Sequence, residues 1–169
     1  MSNVPVPVVD GSEPFDIQLQ LTVLTTPFEV RYLRTGDYII TDCNVVRYGL
    51  ERKAIKDLLA SIPPKGTGKN PELSRLSDQL NRCFDAFGHV GLILEGHWDI
   101  TEDKKVRVWK RGRTGWRSET TGWRVEPFWG KLREVQEAHP GLTVFPTPDH
   151  LGTARLIDLL YRQAGTRGF

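Results

Sequence analysis

Gly36-Asp37-Tyr38-Ile39-Ile40 and the later run Tyr48-Gly49-Leu50-Glu51-Arg52-Lys53-Ala54-Ile55-Lys56-Asp57-Leu58-Leu59 decide how this chain folds. The first run alternates as a strand does, and the segment from Asn44 to Lys53 is its expected hairpin partner. From Ala54 the period changes. Ile55, Leu58, Leu59 and Ile62 fall on one helical face, and Pro63-Pro64 stops the run. Side chains two apart on a strand share a face, so Glu51 and Lys53 project together while Arg52 points away. With Asp37 on the neighbouring strand, its carboxylate is placed to meet that of Glu51.

Outward from this hairpin, Val6 to Asp10 reads as a first strand ended by the turn residues Gly11-Ser12-Glu13-Pro14. The segment from Ile17 to Leu24 fits strand alternation and a helix face equally. Phe28 to Leu33 alternates as a strand. Lys65-Gly66-Thr67-Gly68-Lys69 forms a basic loop, followed by Asn70 as a helix N-cap and Pro71 at the first helical position. Leu73, Leu76, Leu80, Phe84 and Phe87 give that helix its apolar face, and Gly88 ends it. Val90 to Glu95 reads as a buried strand, because Leu92-Ile93-Leu94 is apolar without alternation. A helix from Pro127 to His139, a strand from Leu142 to Phe145 and a helix from Asp149 to Gln163 complete the pattern. Strands that first pair locally and then alternate with helices predict an α/β fold, a central mixed sheet with helices on both faces.

The chain has 169 residues, 38% hydrophobic and 26% charged, which predicts one globular domain with an ordinary soluble composition. No stretch is long and apolar enough to span a membrane, and the N-terminus lacks a secretory pattern, so an intracellular location is expected. Cys43 and Cys83 show neither C-x-x-C spacing nor neighbouring histidines, and are read as reduced structural thiols. The four histidines, His89, His97, His139 and His150, show no ligand spacing and are read as surface or capping residues.

Two carboxylates that converge repel each other, and a hard divalent cation such as Mg2+ resolves the repulsion with oxygen ligands. Such a cation lowers the pKa of a bound water and stabilises charge on a phosphate. Asp37 and Glu51 are the candidate ligands, with Asp10 at the end of the first strand as a further one. Lys53 is placed to orient water or neutralise phosphate charge, and Asp57, four residues on, to pair with Lys53 or Arg52. A solvated, salt-bridged surface explains the same charges taken alone. The spacing goes further: Gly36-Asp37, then Glu51-Arg52-Lys53, then Asp57 resemble the G-D-x(n)-E-R-K-x-x-x-D signature of the XPF family of structure-specific nucleases, a branch of the restriction-endonuclease-like fold. Val8-Val9-Asp10 with Glu13 resembles the family's first strand, although Ser12 stands where an arginine is common. Arg75 and Gln79 resemble an R-x-x-x-Q pair on its next helix. Leu92 to Gly96 resembles its buried strand, and Trp129 to Arg162 its closing helix-strand-helix.

The resemblance implies an endonuclease dependent on Mg2+ or Mn2+ that cuts DNA near branches or single-strand to double-strand junctions, with Asp37, Glu51, Arg52, Lys53 and Asp57 as its catalytic set. It also implies pairing through the nuclease domain. Tandem helix-hairpin-helix and helicase domains, common in the family, are not expected in these residues. The alternatives are a non-catalytic DNA-binding scaffold of the same fold and a general nuclease without junction preference.

Residues of about 97–125 break the periodic pattern and are read as an inserted hairpin or loop. From Lys104 to Arg124 there are eight basic residues and one acidic residue, while the rest of the chain carries more acidic than basic ones. Thr114-Gly115-Trp116-Arg117 is echoed by Thr121-Gly122-Trp123-Arg124. Lys110, Arg111, Arg113 and Arg117 are expected to meet DNA phosphates, with Trp116, Arg75 and Gln79 as further DNA contacts. For the tryptophans as a group, packing against one another is the expected role.

Overall fold

The computed structural model of the chain describes residues 5–42, 44–60, 71–112 and 114–166. Cys43, Ile62, the double proline, the basic loop from Lys65 to Lys69 and the Asn70 cap lie outside the described residues. In chain order the elements are β1 (Val8–Asp10), α1 (Phe15–Val23), β2 (Glu29–Arg31), β3 (Tyr38–Thr41), β4 (Arg47–Ala54), α2 (Ile55–Ala60), α3 (Pro71–Ala86) and β5 (His89–Glu95). Then follow β6 (His97–Ile100), β7 (Lys105–Gly112), β8 (Gly115–Arg124), α4 (Val125–Ala138), β9 (Thr143–Thr147) and α5 (His150–Thr166).

Among the described residues, six strands form a mixed sheet in the order β2-β1-β3-β4-β5-β9. The expected hairpin is present: β3 pairs antiparallel with β4, with Tyr38 opposite Leu50 and Ile40 opposite Tyr48. β4, β5 and β9 run parallel, as crossover helices require. The unalternating apolar run of β5 is explained by burial on both sides. Val90, Leu92 and Leu94 join α2, α3 and α4 through Leu58, Leu76, Leu80 and Phe128. Ile93 joins α1 and α5 on the other face, with Ile17, Leu21, Ile157 and Leu160. The α/β expectation holds, with helices on both faces of a central mixed sheet.

The ambiguous segment after Pro14 is helical. Ile17 and Leu21, one turn apart, are both fully buried, so the helix period governs it. The stretch from His97 to Arg124 is more regular than its sequence implies. It forms a second, three-stranded antiparallel sheet in the order β6-β7-β8. Val106 and Val108 turn inward to the core around Phe128, while the outer face carries tryptophans as well, which hides the usual polar-apolar alternation. His139 differs from its surface reading in one respect. It caps the C-terminus of α4 but is buried, with Nδ1 2.9 Å from the Val135 carbonyl oxygen and Nε2 3.1 Å from Asn81 Oδ1. No helix among the described residues is long and apolar enough to cross a membrane.

Candidate active site

The site forms where the β3-β4 hairpin opens. Gly36 has φ +75°, a conformation L side chains rarely adopt, and a Cβ there would lie 3.4 Å from the Leu50 carbonyl oxygen. That turn drops Asp37 onto β4, one step beyond the Tyr38-Leu50 pair and therefore opposite Glu51. The Asp37 amide donates to the Leu50 carbonyl at 2.8 Å, and the Asp37 carbonyl accepts from the Asp10 amide at 2.8 Å. Asp37 Oδ2 accepts from the Arg52 amide at 2.6 Å, so the side chain continues the ladder where the strand stops.

Glu51 lies on the same face of β4 as Lys53 and Gly49, the face covered by α3. Gly49 marks how closely that helix approaches, since a Cβ there would lie 2.1 Å from the Phe87 ring. Gln79 of α3 donates from Nε2 to Glu51 Oε1 at 2.6 Å. Burial raises the pKa of Glu51 to about 8, with the charges of Asp37 and Glu13 adding to it; Arg82 and Lys53 pull the other way. Burial and the Glu13 charge likewise raise Asp37 to about 7. In each case the negative charge is opposed by desolvation and by neighbouring carboxylates. Cys83 lies beneath the pair on α3, buried, its thiol pushed up to about 12 by burial and then by the charges of Glu51 and Asp37.

Arg52 points through the sheet to the opposite face, as its odd-even position requires. Its Nε donates to Glu13 Oε2 at 2.7 Å and its Nη1 to Glu95 Oε1 at 2.9 Å. Tyr38 donates its hydroxyl proton to the same Glu13 carboxylate. Thr153 of α5 donates to Glu95 Oε2 at 2.6 Å. Burial alone lowers the pKa of Arg52, but the two carboxylates outweigh it and hold the pKa above its usual value. Glu13 and Glu95 are buried, and Arg52 bridges the two as a shared ion-pair partner. Of the two expected partners of Asp57, Arg52 is therefore taken up on the far side of the sheet.

The remaining expected residues fall in different places. Asp10 is buried, and its carboxylate accepts from the Ser12 amide at 2.8 Å, the Ser12 hydroxyl and the Leu33 amide at 2.5 Å. Burial pushes Asp10 up, but these hydrogen bonds prevail and hold its pKa below its ordinary value. Asp10 thus organises the turn after β1, and its charge reaches Asp37. Asp57 sits exposed in the first turn of α2. Arg75 is exposed on α3, one turn before Gln79. Gln79 faces Glu51, where the sequence had suggested DNA. On the small sheet, Lys110 pairs with Glu119 at 2.8 Å, Arg117 is exposed, and Trp116 is half-exposed. Arg111 lies on β7, and Arg113 lies outside the described residues. Glu13 and Glu95 join the site without a chemical signal of their own. Glu95 follows the face of Ile93 by strand alternation, but Glu13 is set by a tertiary contact alone.

Among the described residues no group of three or more His, Cys, Asp and Glu side chains is arranged as a metal cluster. The donor set is the Asp37-Glu51 pair. That set fits Mg2+ or Mn2+, because Mg2+ is typically held by one or two carboxylates together with water and substrate phosphate oxygens. A cation held there would also offset the burial and the neighbouring negative charges that raise both pKa values.

The ERCC4 domain model matches residues 9–160. Among solved structures, XPF from Aeropyrum pernix is similar with a TM-score of 0.64 and 23% identity, over 96% of this chain and 66% of that one. The same protein in complex with DNA gives a TM-score of 0.63 and 23% identity, over 95% and 64%. This chain therefore spans slightly less than two thirds of those structures' length. No curated protein matches it. The family match runs from β1 through most of α5 and takes in both the carboxylate pair and the buried arginine, so this chain belongs to the ERCC4 domain family.

Proposed function

We propose that this chain is a Mg2+- or Mn2+-dependent DNA endonuclease acting at branches or single-strand to double-strand junctions. The observation that carries this reading is the facing of Asp37 and Glu51 across paired strands, with Lys53 on the same strand face as Glu51. Asp37 and Glu51 would hold the metal, which would supply activation of a water and stabilisation of charge on the scissile phosphate. Lys53 neutralises charge growing on the phosphate oxygens as water oxygen bonds to phosphorus and the P–O3′ bond breaks. The products carry a 5′-phosphate and a 3′-hydroxyl. Gln79 fixes the Glu51 carboxylate, Arg52 locks β4 to Glu13 and Glu95, and Asp10 steadies the turn behind Asp37. Asp57, at the start of α2, orients Lys53. Arg75 and the basic strands of the small sheet meet phosphates of the bound DNA. Two copies of the chain pair on the branched substrate.

The test is cleavage of flap, fork and linear duplex DNA by purified protein, with and without Mg2+, beside Asp37→Ala. Metal-dependent cutting of the branched substrates, reduced at least about 10²-fold in the variant, is expected. Cutting that persists equally in the variant, or metal-independent binding without cutting, overturns the catalytic reading. The second outcome favours the non-catalytic scaffold.

A further inference from the structure

Four of the five tryptophans of this chain fall between His97 and Arg124 or at its border, and strand geometry separates them into two groups. Trp98 and Trp123 face inward. Trp98 packs edge-on to Phe128 and Trp129, and Trp123 donates from Nε1 to the Leu59 carbonyl at 2.9 Å. Both hold the small sheet to the body. Trp109 and Trp116 lie on the outer face; Trp109 is half-buried and its indole hydrogen-bonds to Asp99, while Trp116 is the more exposed of the two. Trp109 is directly opposite His97 on β6, and the His97 ring meets Trp116 edge-to-face at 4.6 Å. The Arg107 guanidinium lies 5.0 Å above the Trp109 ring, held there by Asp99 at 2.7 Å. Trp116 leaves half its surface in water.

These rings border an open hollow of about 540 Å³, lined by His97, Trp98, Asp99, Trp109 and Trp116, with Trp98 at its inner edge. It continues into a cleft of about 670 Å³ whose other lip, Ala54 to Lys56, directly follows Lys53 in the chain. The far wall of the cleft carries Asp16, Glu95 and Asp149, which repel phosphate. A polyanion lying there keeps its phosphates on the side of the small sheet. The sequence from His97 to Arg124 carries eight basic and four acidic residues.

We propose that the outer face of the small sheet is a stacking platform for unpaired bases of single-stranded DNA, with Trp116 and Trp109 as its stacking residues and His97 as the spacer between them. Every base has a π-face, so such a platform grips a single strand without reading its sequence. A duplex hides its base faces within its own stack and gains nothing from these rings. The inference builds on the DNA-cutting reading: the platform engages the unpaired arm of a branched substrate while the duplex reaches the carboxylate pair.

Binding of fluorescent oligo(dT) and of a blunt duplex of equal length, both in EDTA, tests the platform without requiring catalysis. Trp116→Ala is expected to weaken oligo(dT) binding about tenfold and to leave duplex binding unchanged, with Trp116→Phe close to the wild type. Trp109→Ala is expected to do the same, and a thermal melt identifies any variant that fails to fold. Trp116 is half-exposed, so its variant keeps the comparison usable if Trp109→Ala unfolds. Equal affinity of wild type and Trp116→Ala for oligo(dT), or an equal loss on both DNAs, overturns the platform. Stacking-dependent binding by a protein that cuts no branched DNA in Mg2+ supports the platform while refuting the nuclease reading.

Discussion

Gln79 reaches the site through its hydrogen bond to Glu51 Oε1, and its removal separates positioning from catalysis. Gln79→Ala is expected to raise the Mg2+ concentration needed for half-maximal cutting by roughly 10- to 100-fold, the usual effect of losing a group that orients a metal ligand. Near-normal cutting should return at saturating metal, whereas Glu51→Gln should stay inactive there. The carboxylate pair also sets a pH dependence. Asp37 and Glu51 ionise near 7 and 8 in the folded chain against ordinary values of 3.8 and 4.5. The metal-free folded state therefore binds more protons than the unfolded one between these ranges, and its stability falls as pH rises through them. Urea unfolding in EDTA should show less stability at pH 8.5 than at pH 5, with a shallower decline in Asp37→Asn. Arg52 shows the opposite balance. Arg52→Met leaves Glu13 and Glu95 buried without their cation and is expected to cost about 3–5 kcal/mol in the same assay at neutral pH. A loss below about 1 kcal/mol would mean water already reaches the two acids.

The elements differ in how much of them is legible in sequence. The β3-β4 hairpin and α2 follow directly from a change of period at Ala54, and that change also places Glu51 and Lys53 on one face. The link from Asp37 to Glu51 needs only the antiparallel register. The small sheet was hidden because both its faces carry aromatic residues, one for packing and one exposed. The repeated Thr-Gly-Trp-Arg contains its own clue. Trp116 and Trp123 are seven positions apart on β8, an odd number, so strand geometry sends them to opposite faces. Trp123→Ala should therefore destabilise the chain, by an expected 3 kcal/mol or so, while Trp116→Ala should leave the melting temperature nearly unchanged. The partners of Arg52 were not legible, since Glu13, Arg52 and Glu95 meet only where the turn before α1 crosses β4 and β5. Asp10 was legible as the end of a strand, but its commitment to Ser12 and Leu33 depends on a loop that no pattern announces.

Across the whole molecule, a net charge of +2 conceals a separation of charge between the small sheet and the body. If phosphates lie along β7 and β8, Arg117→Ala should weaken binding to all DNA sequences alike and reduce the salt slope by roughly 1. An unchanged slope would remove Arg117 from the path of the backbone. The central claim is that two carboxylates on neighbouring strands jointly seat a divalent ion for phosphodiester hydrolysis. Titration of Mn2+ followed by electron paramagnetic resonance tests it most directly, with wild type beside Asp37→Asn and Glu51→Gln. Saturable binding in the wild type, weakened at least about tenfold in each variant, is the expected result. Equal Mn2+ affinity in all three proteins would contradict it.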